Sequence, residues 1–359
     1  MKVLVGLSGG VDSAIAAYEL KKQGVDVKCC FMRNWDSALN NDTLGNSTLN
    51  NDICPQEQDY NDAKSVADAL GLELLRKDYI KEYWDNVFKF FVEEYKKGRT
   101  PNPDILCNKY IKFDCFLDFA LEQGFDMIAT GHYIKAVDGD IRRYYKASDL
   151  NKDQSYFLAQ VNKRALDKCL FPLGDIDKPR VRELAEELNL SIAKKKDSTG
   201  ICFIGERDFR KFLSNYIPMK PGKIIDIDTL EEIGEHNGVY YYTVGQRKGL
   251  GLACGKHVYV NQLRPDTNEV VISDNESLFK TKIYADKLNL MAVDKLDGEV
   301  RLTAKIRYAH KKSPCTVKMV GNILECTFDE PQRAPAPGQA IVLYDGSYVY
   351  GGGTIIKGE

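Results

Sequence analysis

Gly6-Leu7-Ser8-Gly9-Gly10-Val11-Asp12-Ser13 decides the fold. It follows the apolar run Val3-Leu4-Val5 and precedes Ala14-Ile15-Ala16-Ala17-Tyr18-Glu19-Leu20, so the three pieces read as strand, tight turn and amphipathic helix. Gly9 and Gly10 let the backbone turn and approach a ligand, while the N–H groups at the helix start point at negative oxygens. Ser8 and Ser13 add hydroxyl donors, and Asp12 suits a magnesium ion that bridges phosphates. No lysine follows the glycines as the G-x-x-x-x-G-K-[ST] loop requires, which disfavours ordinary γ-phosphate transfer. A plain glycine turn is the alternative. Against it, serines, paired glycines and an aspartate coincide in the first βα turn, where open α/β sheets bind ligands.

The 359 residues suffice for two or three domains, and the formal charge of −2 confines any nucleic-acid surface to a local patch. Ten cysteines are scattered rather than packed into a small-domain framework, and the chain opens directly on a strand. Both point to a reducing, cytoplasmic setting. No apolar run reaches the roughly 18–20 residues of a membrane span.

Outward from the loop, Val25–Met32 reads as a second buried strand, completing a βαβ unit with a parallel crossover. Met32, at its carboxyl end, is either core or the wall of an adenine pocket. Asn34–Asp59 is polar and reads as a loop, Tyr60–Leu70 as a helix, Leu72–Leu75 as a third strand and Glu82–Lys97 as a long helix. The aromatics of that last helix read as core. Asp126–Tyr133 reads as another parallel strand, ending in Gly131-His132 at the same sheet edge. Gly131 would allow close approach of a nucleotide, and His132 is equally a scaffold residue or a site residue.

Two cysteine segments stand out. In Gly98-Arg99-Thr100-Pro101-Asn102-Pro103-Asp104-Ile105-Leu106-Cys107-Asn108, Asp104 is expected to cap a helix begun by Ile105, placing Cys107 in its first turn. Peptide dipoles there would favour the thiolate, yet a buried structural cysteine fits as well. Asp104 is equally a cap or a general acid/base. In Lys194-Lys195-Lys196-Asp197-Ser198-Thr199-Gly200-Ile201-Cys202-Phe203-Ile204-Gly205, three lysines beside a small-residue turn make a positive field around Cys202. A solvated lysine face is the alternative.

The rest is β-rich. A basic helix over Arg207–Tyr216 and a linker over Pro218–Gly222 precede short strands from Lys223 to about Asp274, with a glycine-flanked Gln246-Arg247-Lys248 loop suited to phosphates or simply exposed. Strands at Leu288–Met291, Glu299–Tyr308, Cys315–Met319, Ile323–Phe328, Gln339–Tyr344 and Tyr348–Gly351 fit a small barrel. Arg307-Tyr308 sets a cation beside an aromatic ring, a pairing suited to RNA. The polar run Lys152-Asp153-Gln154 marks only a helix start.

The first loop resembles the SGGVDS loop of the ATP pyrophosphatases. Together with T-P-N-P-D-I-L-C-N, K-K-K-D-S-T-G-I-C-F-I-G, G-Q-R-K-G-L-G and a C-terminal barrel, in that order, the chain resembles the bacterial tRNA-specific 2-thiouridylases nearly end to end. The resemblance implies an α/β catalytic domain with a Rossmann-type parallel sheet over 1–205, a small, mostly β central domain over 206–278 and a tRNA-binding β-barrel over 279–359. It implies ATP- and Mg2+-dependent thiolation of the wobble uridine by a cytoplasmic monomer. Sulfur would come from a donor protein such as a cysteine desulfurase or sulfur relay protein.

By the same resemblance, Cys202 receives the persulfide and Cys107 is the nucleophile that forms a disulfide with it. ATP contacts fall on Gly6, Leu7, Ser8, Gly9, Gly10, Val11, Asp12, Ser13, Met32 and Gly131. Asn102, Pro103 and Asp104 meet the target base. His132, Lys152, Asp153, Gln154, Arg307, Tyr308 and Gln339 meet tRNA. An iron–sulfur cluster on Cys107, Cys202 and a carboxylate such as Asp104 is the less favoured cofactor, and Cys54 receives no role.

Overall fold

The computed structural model describes residues 1–42, 55–197, 208–252 and 255–359. Cys54 and Cys202 lie outside the described residues. The chain divides into two compact units, one formed by Met1–Val87, Pro103–Phe212 and Ser347–Val349, the other by Phe88–Asn102, Leu213–Gly346 and Tyr350–Glu359.

In the first unit β1 (Lys2–Gly6), α1 (Val11–Lys22), β2 (Asp26–Arg33), α2 (Pro55–Leu70) and β3 (Leu74–Asp78) follow in turn. Then come β4 (Met127–Ala129), a hairpin of β5 (Ile134–Val137) and β6 (Arg143–Lys146), and β7 (Cys169–Leu170). The sheet order is β3-β2-β1-β4-β7, every pair parallel. β1 runs through the middle, with Val3, Leu4 and Val5 unexposed as its continuous apolar run predicts. Each such side chain contributes about 1.5–3 kcal/mol by burial. Chain order reverses between β1 and β4, so the turn after β1 opens at the switch point.

Three local readings change. α2 begins at Pro55, so the polar stretch read as loop to Asp59 is already helical at its end, proline's fixed φ suiting a first turn. The strand read over Asp126–Tyr133 pairs only at Met127–Ala129; Thr130-Gly131-His132 leaves the ladder. The helix read from Ile105 begins at Pro103 and runs on through a π-helical stretch, Asn108–Cys115, into Phe116–Glu122. Asp104 is therefore inside the first turn rather than capping it.

The second unit holds a four-stranded mixed sheet of Gly222–Asp226, Glu232–His236, Tyr259–Arg264 and Glu269–Ser273. It also holds a closed six-stranded barrel. The barrel's first strand, Phe279–Leu290, pairs antiparallel with its last, Tyr348–Gly358, at Ile283–Gly358 and Leu290–Gly351. The first strand is longer than its apolar run suggests, because Lys280, Lys282 and Lys287 interrupt that run while Ile283 and Ala285, with Ile355 of the last strand, fill the interior.

Candidate nucleotide and thiol site

The Gly6–Ser13 turn is built as an anion cradle. Gly10 starts α1 without any side-chain cap, which leaves first-turn N–H groups for a ligand. Ser13 donates its hydroxyl to the Gly10 carbonyl (3.0 Å) and accepts from the Ser8 N–H (3.1 Å) and the Ser8 hydroxyl (3.1 Å). Gly9 has φ +75°, and a Cβ there would lie 2.3 Å from the Asp59 carbonyl oxygen, so only glycine fits. At Gly10 a Cβ would meet only Ser8 Oγ, at 3.4 Å. That side of the loop is open.

Gly131 and Met32, expected to contact nucleotide, lie beside it. A Cβ on Gly131 would lie 2.7 Å from the Ser13 nitrogen and 2.8 Å from the Asp12 carbonyl carbon, so Gly131 lets the β4 end press against the loop. Met32 lays its Cε 3.0 Å from where a Cβ on Gly6 would stand. It therefore covers the strand end beside the cradle, as an adenine wall would.

Asp12 is oriented by groups that sequence reasoning missed. Its Oδ1 accepts from the Tyr133 hydroxyl (2.7 Å) and from Lys178 Nζ (2.7 Å), and among the described residues Oδ2 has no hydrogen-bond partner. Burial and the nearby Asp12 charge push the Tyr133 phenol up, keeping it a donor. Lys178 opens the helix Lys178–Glu187, whose N-cap Asp177 accepts from the Arg180 N–H, and its own N–H donates to Asp149. Lys178 also pairs with Asp197 Oδ1 (2.7 Å), which further pairs with Lys152 (2.5 Å) and Arg182. Burial opposes ionisation of Asp197, but hydrogen bonds from Lys152 and Lys178 win and lower it to about 2. Lys195 reaches the Gly9 carbonyl (3.1 Å), Asp59 (2.8 Å) and Asp62 (2.6 Å). The lysine run thus includes a brace for the loop. The signal for Lys178 is faint in sequence, a single lysine 166 positions from its partner.

These residues fit a magnesium ion carried on phosphates, because among the described residues one Asp12 oxygen stays outside the hydrogen bonds to Tyr133 and Lys178. Among the described residues no three His, Cys, Asp or Glu side chains form a ready-made metal cage.

Cys107 is 4% exposed, at the end of the short helix Pro103–Cys107. Burial raises Asp104 above the ordinary carboxylate value, with the Lys112 charge opposing, so it holds a proton to higher pH. By contrast, burial pushes the thiols of Cys29, Cys30 and Cys169 up to about 12, which makes them inert. His132 is buried on Phe113 and shares a 2.9 Å hydrogen bond with Thr130; burial, then Lys112, lowers it well below 6.5, so the ring is neutral.

Several positions assigned to tRNA by resemblance already have internal partners. Asp153 is buried and accepts from the Ala147 N–H and the Ser155 hydroxyl. Gln154 accepts from the Tyr133 N–H (3.0 Å). In the second unit, Arg307 donates to the carbonyls of Val244 (2.9 Å) and Ala334 (3.1 Å), and Gln339 to that of Thr100 (2.7 Å), two residues before Asn102. Tyr308 is 37% exposed with Lys305 Nζ 5.4 Å from its ring centre.

Models of three families match in order: a tRNA methyl transferase HUP domain over 1–206, a tRNA methyl transferase PRC-barrel domain over 210–274 and an aminomethyltransferase beta-barrel domain over 280–355. The tRNA-specific 2-thiouridylase MnmA of Mycoplasma capricolum is 50% identical, covering 99% of this chain and 98% of its own. The chain belongs to the tRNA-specific 2-thiouridylase family. Further 2-thiouridylases come from Mycoplasmopsis synoviae, 51% identical over 98% of this chain and 95% of that one, and Lysinibacillus sphaericus, 45% identical over 99% and 94%. Among the described residues, no helix of this 2-thiouridylase family member is long and apolar enough to cross a membrane.

Proposed function

We propose that the chain thiolates C2 of the wobble uridine in tRNA at the expense of ATP. The observation that carries this reading is the uncapped, serine-lined loop at the point where strand order reverses, with Asp12 oriented beside it. A uracil carbonyl is a poor electrophile, so its oxygen first attacks the α-phosphate and pyrophosphate departs into the cradle, where fixed N–H donors meet the growing charge. Magnesium, held through Asp12 Oδ2, would screen the phosphate oxygens.

A persulfide on Cys202, loaded by a donor protein, then supplies the sulfur. Cys107 thiolate attacks the Cys202 sulfur, the terminal sulfur bonds to C2, AMP leaves with the former O2, and a Cys107–Cys202 disulfide remains for reduction. Asp104, whose carboxyl burial raises above the ordinary value so that it holds its proton to higher pH, would move the proton near that centre. The target nucleotide comes from a single-stranded anticodon loop, so extruding it costs only a few kcal/mol. Asn102 and Pro103 flank it, and Tyr308 with Lys305 offers a stacking surface for RNA. Division at 205/206 and 278/279 gives a catalytic domain and two that hold tRNA, in a monomer that works in the cytoplasm.

The test is mass spectrometry of nucleosides from unmodified tRNA incubated with protein, ATP, magnesium and a sulfur source. It should show 2-thiouridine together with stoichiometric AMP and pyrophosphate. ATP turnover with no thionucleoside would refute it.

A further inference from the structure

The loop carries its own cation. Lys178 Nζ lies 2.7 Å from Asp12 Oδ1 and 2.7 Å from Asp197 Oδ1, with its side chain only 11% exposed. The two carboxylates differ in what else they hold. Asp197 also has Lys152 and Arg182. Among the described residues Lys178 is the sole cation paired with Asp12, whose other contact is the neutral Tyr133 hydroxyl. Among the described residues the ion-pair partner of Asp12 is therefore Lys178, while Asp197 keeps Lys152 and Arg182 without it.

A divalent cation approaching Asp12 Oδ2 meets this ammonium across the same carboxylate. The two like charges compete for one anion. Nucleotide phosphates change the balance by bringing negative charge for both cations, and Asp197 provides Lys178 with a second, already formed anchor.

We propose that Lys178 is a positioning residue acting as the resident counter-ion of the phosphate loop: it neutralises Asp12 in the nucleotide-free protein and is retained by Asp197 when a nucleotide brings its divalent cation. The loop consequently rejects bare metal and admits metal as a nucleotide complex. Lys178 remains at the loop edge, held by Asp197. This rests on the reading of the loop as a site for ATP with its metal.

Manganese titrations, by calorimetry and by the paramagnetic signal of free Mn2+, test it without recourse to turnover. In Lys178→Gln, Mn2+ alone should bind about tenfold more tightly than to the wild type, while Lys178→Arg retains the wild-type weakness. Asp197→Asn moves the opposite way. With Asp197 neutral, Lys178 is left to Asp12, so Mn2+ alone and Mn2+·ATP should both bind several-fold more weakly. This variant keeps the inference testable where Lys178→Gln fails to fold. Unchanged nucleotide-free Mn2+ affinity in Lys178→Gln, or unchanged Mn2+·ATP affinity in Asp197→Asn, overturns the inference. A wild-type protein that does not bind Mn2+·ATP overturns the nucleotide reading beneath it.

Discussion

The Gly6–Ser13 loop and the Lys152–Gln154 turn belong to the same unit, and both stand out in the sequence as polar clusters at a helix start, yet they use their polar groups in opposite ways. Among the described residues the loop leaves its helix start without a side-chain cap and Asp12 Oδ2 without a hydrogen bond. The turn looks inward: Asp153 receives Ala147 and Ser155, Gln154 holds Tyr133, and Lys152 holds Asp197. Tyr133 in turn orients Asp12, so the turn serves the loop from behind. A polar motif is ligand-facing where its hydrogen bonds are left unmade, and supporting where they are complete.

The largest effect should come from Asp104, a half-buried carboxyl proposed to serve the chemistry rather than the support. Asp104→Asn is expected to lower the single-turnover rate of thiolation by about 10²–10⁴-fold, with tRNA affinity within about twofold. The wild-type pH profile should show a limb above the ordinary aspartate value, because burial raises this carboxyl, and the limb should vanish in the variant. Wild-type turnover in Asp104→Asn would reclassify the residue as scaffold.

Next come the glycines. Gly131→Ala forces a Cβ to 2.7 Å from the Ser13 nitrogen and should cost about a hundredfold in pyrophosphate release by displacing the loop. Gly10→Ala meets only Ser8 Oγ, so its melting temperature should stay near wild type while KM for ATP rises. Equal behaviour of the two variants would erase the distinction between a closed and an open face of the loop.

Legibility in the sequence follows the same division. The loop, the central strand and the barrel were readable because local patterns specify them: an apolar run into a glycine turn, and alternation broken by turns. The start of α2 at Pro55 was hidden by its polar composition, since Gln56, Glu57 and Gln58 carry no apolar period. Asp104 was misplaced as a cap because a proline just before it is compatible with either a helix start or an approach to one. Lys178, Tyr133 and Lys195 act across 121 to 186 residues of chain, where no periodicity connects a lysine to its carboxylate.

In the second unit, Arg307 and Tyr308 are neighbours with opposite expectations. Tyr308→Ala should weaken tRNA binding by about 1–3 kcal/mol with the melting temperature unchanged, as loss of an exposed stacking surface does. Arg307→Ala strips a donor from two carbonyls and should lower stability by about 1–3 kcal/mol, measured by urea unfolding. A reversed pair of results would place Arg307 on the RNA and Tyr308 in support.

The smallest effect concerns Asp197, which separates support from ligand binding by pH. Its carboxyl titrates at about 2 in the folded protein against an ordinary 3.8, so the unfolded chain binds the proton more readily in between. A depressed carboxylate of this kind contributes its full stabilisation above about pH 4 and loses it as pH falls toward 2. The shift corresponds to about 1–2 kcal/mol once solvent screening of a partly exposed group is discounted. Unfolding free energies of the wild type and Asp197→Asn, from urea titrations, should therefore differ by that amount at pH 6 and converge near pH 2. A gap that persists at low pH would mean that the side chain acts through its shape, and the three cations around it would then owe their positions to packing rather than to its charge.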